Sequence, residues 1–130
     1  MIVDSSAVIA ILRRESGAQA LLEKIGTTPN RKMSVANFLE TAIVVDSKRS
    51  PIASRDLDEF IREARIVLCP VDEVQARIAR EAYRDFGRGS GHAARLNFGD
   101  CFAYALAKAM GEPLLYKGTH FSSTDVVSAL

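Results

Sequence analysis

Short runs that are apolar at nearly every position alternate along this chain with longer stretches in which apolar residues recur every three or four positions. The short runs, Ile2-Val3, Met33-Ser34-Val35, Ile66 to Cys69 and Pro113 to Tyr116, have the length of buried strands, and all but the last contain β-branched residues. The longer stretches predict helices. The first, Ala7 to Leu12, is apolar almost all round before turning basic at Arg13-Arg14; the second runs from Ser16 to Ile25, with Gly26 closing it. A third contains Phe38, Leu39, Ala42, Ile43 and Val45, and a fourth spans Arg55 to Arg65. A fifth opens at Asp72 or Glu73 and reaches about Phe86, with Val74, Ile78 and Ala82 inward and Arg77, Arg80 and Arg84 outward. The last, Asp100 to Met110, is rich in alanine and stops at Gly111. Asp125-Val126-Val127 is expected to add a short edge strand. Gly87 to Asn97 shows no period, carries three glycines and is expected to be a mobile loop.

Continuously apolar strands separated by helices predict an α/β fold: a central parallel sheet covered on both faces, three layers in all. With 130 residues, 48% of them hydrophobic, one domain over residues 1–130 accounts for the chain. A formal net charge of +1 gives no global attraction for a polyanion, so contact with nucleic acid must come from local patches. Cys69 and Cys101 lie far apart in apolar contexts and follow no metal-ligand spacing, which favours buried thiols over a disulfide. No signal peptide precedes Asp4 and no apolar run is long enough to span a bilayer, so a cytoplasmic protein is expected.

Three acids stand out because each interrupts an apolar context. Asp4 follows the first strand, Glu40 divides Phe38-Leu39 from Ala42-Ile43, and Asp100 opens the helix Cys101 to Leu106. Each alone has an ordinary explanation: a strand-end cap, a solvated helix face, a helix N-terminal acid. Together, at element junctions of a parallel-sheet protein, they suggest a cluster at the carboxyl edge of the sheet, where ligands bind in open α/β folds. Clustered carboxylates repel one another unless a cation neutralises them, and oxygen ligands without a Cys/His set select Mg²⁺ or Mn²⁺ over zinc. A cation that keeps part of its water shell suits hydrolysis of a phosphodiester.

Several segments bear a family resemblance: Met1 to Ala7, the internal Glu40, Leu96 to Ala107, and Pro113 to Gly118 followed by Phe121 and Thr124-Asp125. With these landmarks in order over nearly the whole chain, the sequence resembles a PIN-domain ribonuclease toxin of the VapC type. The resemblance implies a PIN-like fold and a Mg²⁺- or Mn²⁺-dependent endoribonuclease that cuts tRNA or rRNA. It also implies inhibition by a cognate VapB-type antitoxin and a homodimer. By the same resemblance Asp4, Glu40 and Asp100 match the family's metal-binding and catalytic positions. Ser5 or Ser6 is similar to the hydroxyl residue supporting the first acid, with Asn37 in a like role.

The pattern breaks after the last strand. Proteins resembling this one carry an acid just before the residue matching Phe121, whereas this chain has Thr119-His120. One metal is therefore expected rather than two, with Asp125 or His120 as partial substitutes. A weakened domain acting mainly through antitoxin or RNA binding is the alternative. For RNA contact the candidates are Arg13, Arg14, Arg84, Arg88, Arg95 and Lys117, with Arg88 and Arg95 preferred for their glycine-rich setting. His92 is expected to serve a structural hydrogen bond. Antitoxin binding is expected near the first helices. A phosphoacceptor receiver domain, suggested by Asp4 and Lys117 at strand ends, lacks its aspartate after the middle strand, where Cys69-Pro70 stands.

Overall fold

The computed structural model describes residues 1–130. Four strands, β1 (Ile2–Val3), β2 (Lys32–Ser34), β3 (Val67–Cys69) and β4 (Leu114–Leu115), form one sheet in the order β3-β2-β1-β4, every pairing parallel. Six helices connect them: α1 (Ser5–Leu12), α2 (Ala18–Thr27), α3 (Val35–Asp46), α4 (Pro51–Glu63), α5 (Glu73–Phe86) and α6 (Phe98–Met110).

Strand residues alternate between faces, and here two-residue strands serve two cores. Ile2 and Leu114 point to one face, where they meet Ala79, Ala82, Cys101, Leu106 and Phe121 from α5, α6 and the final turn. Val3 and Leu115 point to the other, with Met33 of β2 and with Val8, Leu21, Ile25 and Leu57 from α1, α2 and α4. The three-layer arrangement follows: neither sheet face can be left wet, so each takes a helical layer. Both cysteines are buried free thiols. No helix is long and apolar enough to cross a membrane.

Local differences from the sequence reading have physical causes. Helix α2 begins at Ala18 rather than Ser16, because Gly17 sits at φ +82°, outside the helical region. It runs past Gly26 to Thr27, whose hydroxyl donates to the Glu23 carbonyl. Val35 starts α3 instead of ending β2, since the Ser34 side chain caps the helix by accepting from the Ala36 amide. Helix α4 starts at Pro51, a residue suited to a first turn, under the Ser50 cap. In α5 Ile78 and Ala82 face the core as expected, and only the first turn differs. Val74 is 62% exposed, while Gln75 is buried and donates through Nε2 to the Pro70 carbonyl. Asp125 to Val127 form no strand; only Ser128 bridges to Leu114, beyond them.

The segment 87–97 is tied at its neck. Arg88 N donates to Leu96 O and Leu96 N to Phe86 O, while Ala94 and Leu96 are buried. His92 packs edge-on against Phe86 and accepts from the Ala94 amide through Nδ1.

A carboxylate cleft at the carboxyl edge of the sheet

Strands β1, β2 and β3 step in one direction across the sheet, and the chain then returns to add β4 on the far side of β1. The reversal leaves a crevice between the carboxyl ends of β1 and β4, the usual ligand position in such sheets. Asp4 leaves β1 there, Glu40 reaches it from the second turn of α3, and Asp100 enters from the first turn of α6. All three line one cleft of about 350 Å³ with Ser5, Ser6, Asn97, Lys117 and His120.

Each acid is held by neighbours that its own element supplies. Asp4 is the N-cap of α1, its Oδ2 accepting from the Ser6 amide at 2.9 Å and the Ser6 hydroxyl at 2.5 Å. The Ser6 Oγ in turn accepts from the Lys117 amide at 3.0 Å, which ties the end of β4 to α1. Glu40 Oε2 accepts from Ser5 Oγ at 2.7 Å and from Asn37 Nδ2 at 3.2 Å. Asn37 also donates to the Gly99 carbonyl at 2.9 Å, so one buried amide fixes α3 to α6. Its Oδ1 is buried without a donor, an acceptor that an ordered water would satisfy. Asp100 Oδ2 accepts from the Asn97 amide at 2.8 Å while Asn97 caps the Asp100 amide, a reciprocal capping box that starts α6. His120 Nδ1 lies 2.9 Å from the same Asp100 oxygen.

Asp4 is the most deeply buried of the three acids. Burial, opposed by its Ser6 hydrogen bonds and reinforced by the charges of Asp100 and Glu40, pushes its carboxyl up to about 6. The three carboxyl groups share the cleft without closing into a ready-made cage. An ion held there would keep part of its water shell, as Mg²⁺-like cations do, and the all-oxygen acidic donor set fits a hard divalent ion.

Of the further candidates, the structure brings Ser5, Ser6, Asn37, Lys117 and His120 to the acids and leaves others away. Asp125 is not at the cleft: it accepts from Tyr104 Oη at 2.7 Å and Lys108 Nζ at 2.9 Å, and these bonds hold its carboxyl below the usual range. It cannot stand in for an acid before Phe121. Of the basic candidates only Lys117 lines the cleft, and its ammonium is drawn to the Ser16 carbonyl and to Glu15 at 3.3 Å. Arg13 borders a separate groove, and Arg84 pairs with Asp85 at 2.7 Å. Burial, then the Asp100 charge, pushes the Cys101 thiol up to about 11, so it is no nucleophile.

Two site features escaped the sequence reading. Asn97 lines the cleft, and its signal was present as a capping residue three positions before Asp100. Gly99 is the other: a Cβ there would stand 2.1 Å from Glu40 Oε1, so only glycine leaves room for that carboxylate. A glycine in the first turn of a good helix former is the visible sign.

Comparison with known proteins agrees with this architecture. The PIN domain family matches residues 1–127. Ribonuclease VapC28 of Mycobacterium tuberculosis is 57% identical over 130 residues, covering 100% of this chain and 98% of that protein. Among solved structures, M. tuberculosis VapC20, described as a sarcin-ricin loop cleaving toxin, superposes with a TM-score of 0.74 at 15% identity, covering 97% of this chain and 95% of that one. A toxin-antitoxin complex from Klebsiella pneumoniae gives a TM-score of 0.72 at 14% identity, covering 99% and 97%. PIN-domain nucleases of the VapC type are in general dependent on divalent metal. The parallel sheet, its crevice and these full-length matches together identify the chain as a member of the PIN domain family, among the VapC ribonucleases.

Proposed function

We propose that this chain is an endoribonuclease toxin that hydrolyses RNA phosphodiester bonds in tRNA or rRNA with Mg²⁺ or Mn²⁺ held by Asp4, Glu40 and Asp100. The observation that carries this reading is the gathering of three carboxyl groups, distant in sequence, around one open cleft at the strand-order reversal. A bound divalent ion supplies an activated water and offsets charge developing on the phosphate oxygens. The chain's own residues prepare that chemistry. Ser6 and Ser5 hold Asp4 and Glu40 by hydroxyl hydrogen bonds, and Asn37 ties Glu40 to the start of α6. Lys117 is the one basic candidate that lines the cleft. With every acid oriented, a weakened domain acting only through binding is the poorer reading.

The similarity to a toxin-antitoxin complex supports a VapB-type antitoxin as partner. A groove of about 410 Å³ beside the first helix, with Leu12, Val44, Val45 and Ala53 as its apolar lining, suits a segment of such a partner. A homodimer is supported by exposed Val74, Tyr83 and Phe98 on the opposite layer, Phe98 being 77% exposed.

Incubating a structured RNA pool with Mg²⁺ or Mn²⁺ tests the proposal. Wild-type protein is expected to produce discrete cuts that chelator stops, and Asp4→Ala and Asp100→Ala to lose at least ~100-fold in rate, as befits loss of a transition-state interaction. Equal cleavage by the mutants would overturn the assignment.

A further inference from the structure

We infer that His120 is a positioning residue for the cation site, locking the Asp100 carboxylate so that one oxygen is left free for metal; this rests on the metal-nuclease reading above. Asp100 Oδ2 receives two contacts, the Asn97 amide at 2.8 Å and His120 Nδ1 at 2.9 Å. An ionised carboxylate only accepts, so the proton between them belongs to Nδ1. That assignment makes Nδ1 a donor to Asp100 and removes it as a metal ligand. Asp100 Oδ1 takes part in neither contact, and the two bonds on its twin set the rotation of the carboxylate about its own axis.

The histidine is itself delivered by a built element. Gly118 turns the chain at φ +101°, and Phe121, next to His120, is buried with its ring 5.1 Å from that of Tyr116. Thus the imidazole is 44% exposed toward the cleft while the residue after it is anchored in the core. Partners that orient a metal-binding carboxylate in this way typically change metal affinity by about 10–100-fold when removed.

Metal binding without RNA provides the test. Free Mn²⁺ is followed by electron paramagnetic resonance, with Mg²⁺ and Ni²⁺ measured by competition, for wild type, His120→Ala, His120→Asn and Asp4→Asn. The asparagine amide nitrogen stands near the place of Nδ1 and can donate in its stead. His120→Ala is expected to weaken all three ions by a common factor of about ten, and His120→Asn to restore them to within about threefold. Equal binding by wild type and His120→Ala overturns the inference while leaving the cleft reading intact. Loss that His120→Asn does not restore also overturns it; if Ni²⁺ then suffers more than Mg²⁺, the imidazole is a direct ligand. Wild type that binds no ion, or Asp4→Asn protein that binds as wild type does, overturns the cleft reading and this inference together.

Discussion

Asp4 shows how burial couples the charge of one side chain to stability. It is 3% exposed, and its carboxyl is raised from 3.8 to about 6 by burial and by two neighbouring acids. The sign is that of an acid protonated more readily in the folded state. Below pH 3.8 folded and unfolded chains are both protonated and its contribution to stability is complete. As pH rises toward 6 the unfolded chain releases its proton first, and the contribution is lost, roughly 3 kcal/mol from the shift alone. In chelator, Asp4→Asn is therefore expected to melt above wild type at pH 8, with the gap closing near pH 4. A gap that persists unchanged at pH 4 would show that charge is not its cause. Gly99 acts on the same site by subtraction. The Cβ of Gly99→Ala would collide with the Glu40 carboxylate, the mobile end of its side chain, which is expected to swing away. Cleavage should fall roughly 100-fold for a displacement of about 1 Å, while the melting temperature holds or rises, since alanine favours helix over glycine. Kinetics beside thermal melts separate the two effects.

At the scale of elements, the acids are also structural parts of the helices that carry them. From sequence, Asp4→Ala or Asp100→Ala is expected to leave the fold intact or to stabilise it by relieving repulsion. The structure divides the cases. Asp100 closes half of the capping box at the start of α6, so Asp100→Ala loses a cap as well as a charge. Its metal-free melt is expected to fall by about 1 kcal/mol, or about 3–5 °C in a chain of this size. A melt at or above that of wild type would mean that relief of repulsion outweighs the cap. Only the start of α5 is legible in the sequence, at its Asp72 cap. Ser34, Ser50 and Asn97 also cap as their residue types allow, yet the sequence reading places Ser34 in a strand and begins the helices after Ser50 and Asn97 at Arg55 and Asp100. The first turn of α5 is misread at Val74, because burial of the neighbouring Gln75 goes with its bond to the Pro70 carbonyl and not with apolar spacing.

For the whole molecule, the proposed cation site would link ion binding to folding, because an ion that binds only the folded cleft stabilises it. Mg²⁺ or Mn²⁺ at 100 times its dissociation constant is expected to add about 2.7 kcal/mol to stability. Calorimetry without RNA should resolve one strong site, because no fourth carboxylate lines the cleft and Asp125 is engaged by Tyr104 and Lys108. Two comparably tight sites would refute this. The sequence by itself determined the layered α/β architecture, since short, mostly apolar strands joined by periodic helices bury both faces in a parallel sheet. It also marked Asp4, Glu40 and Asp100, because a charge that interrupts an apolar run is visible without coordinates. Tertiary structure alone decided that His120 turns to Asp100 while Asp125 turns away, and that Gly99 makes room for Glu40. Those choices depend on the packing of Phe121, Tyr104 and α3 against α6, contacts between segments 17 to 62 positions apart that no local pattern encodes.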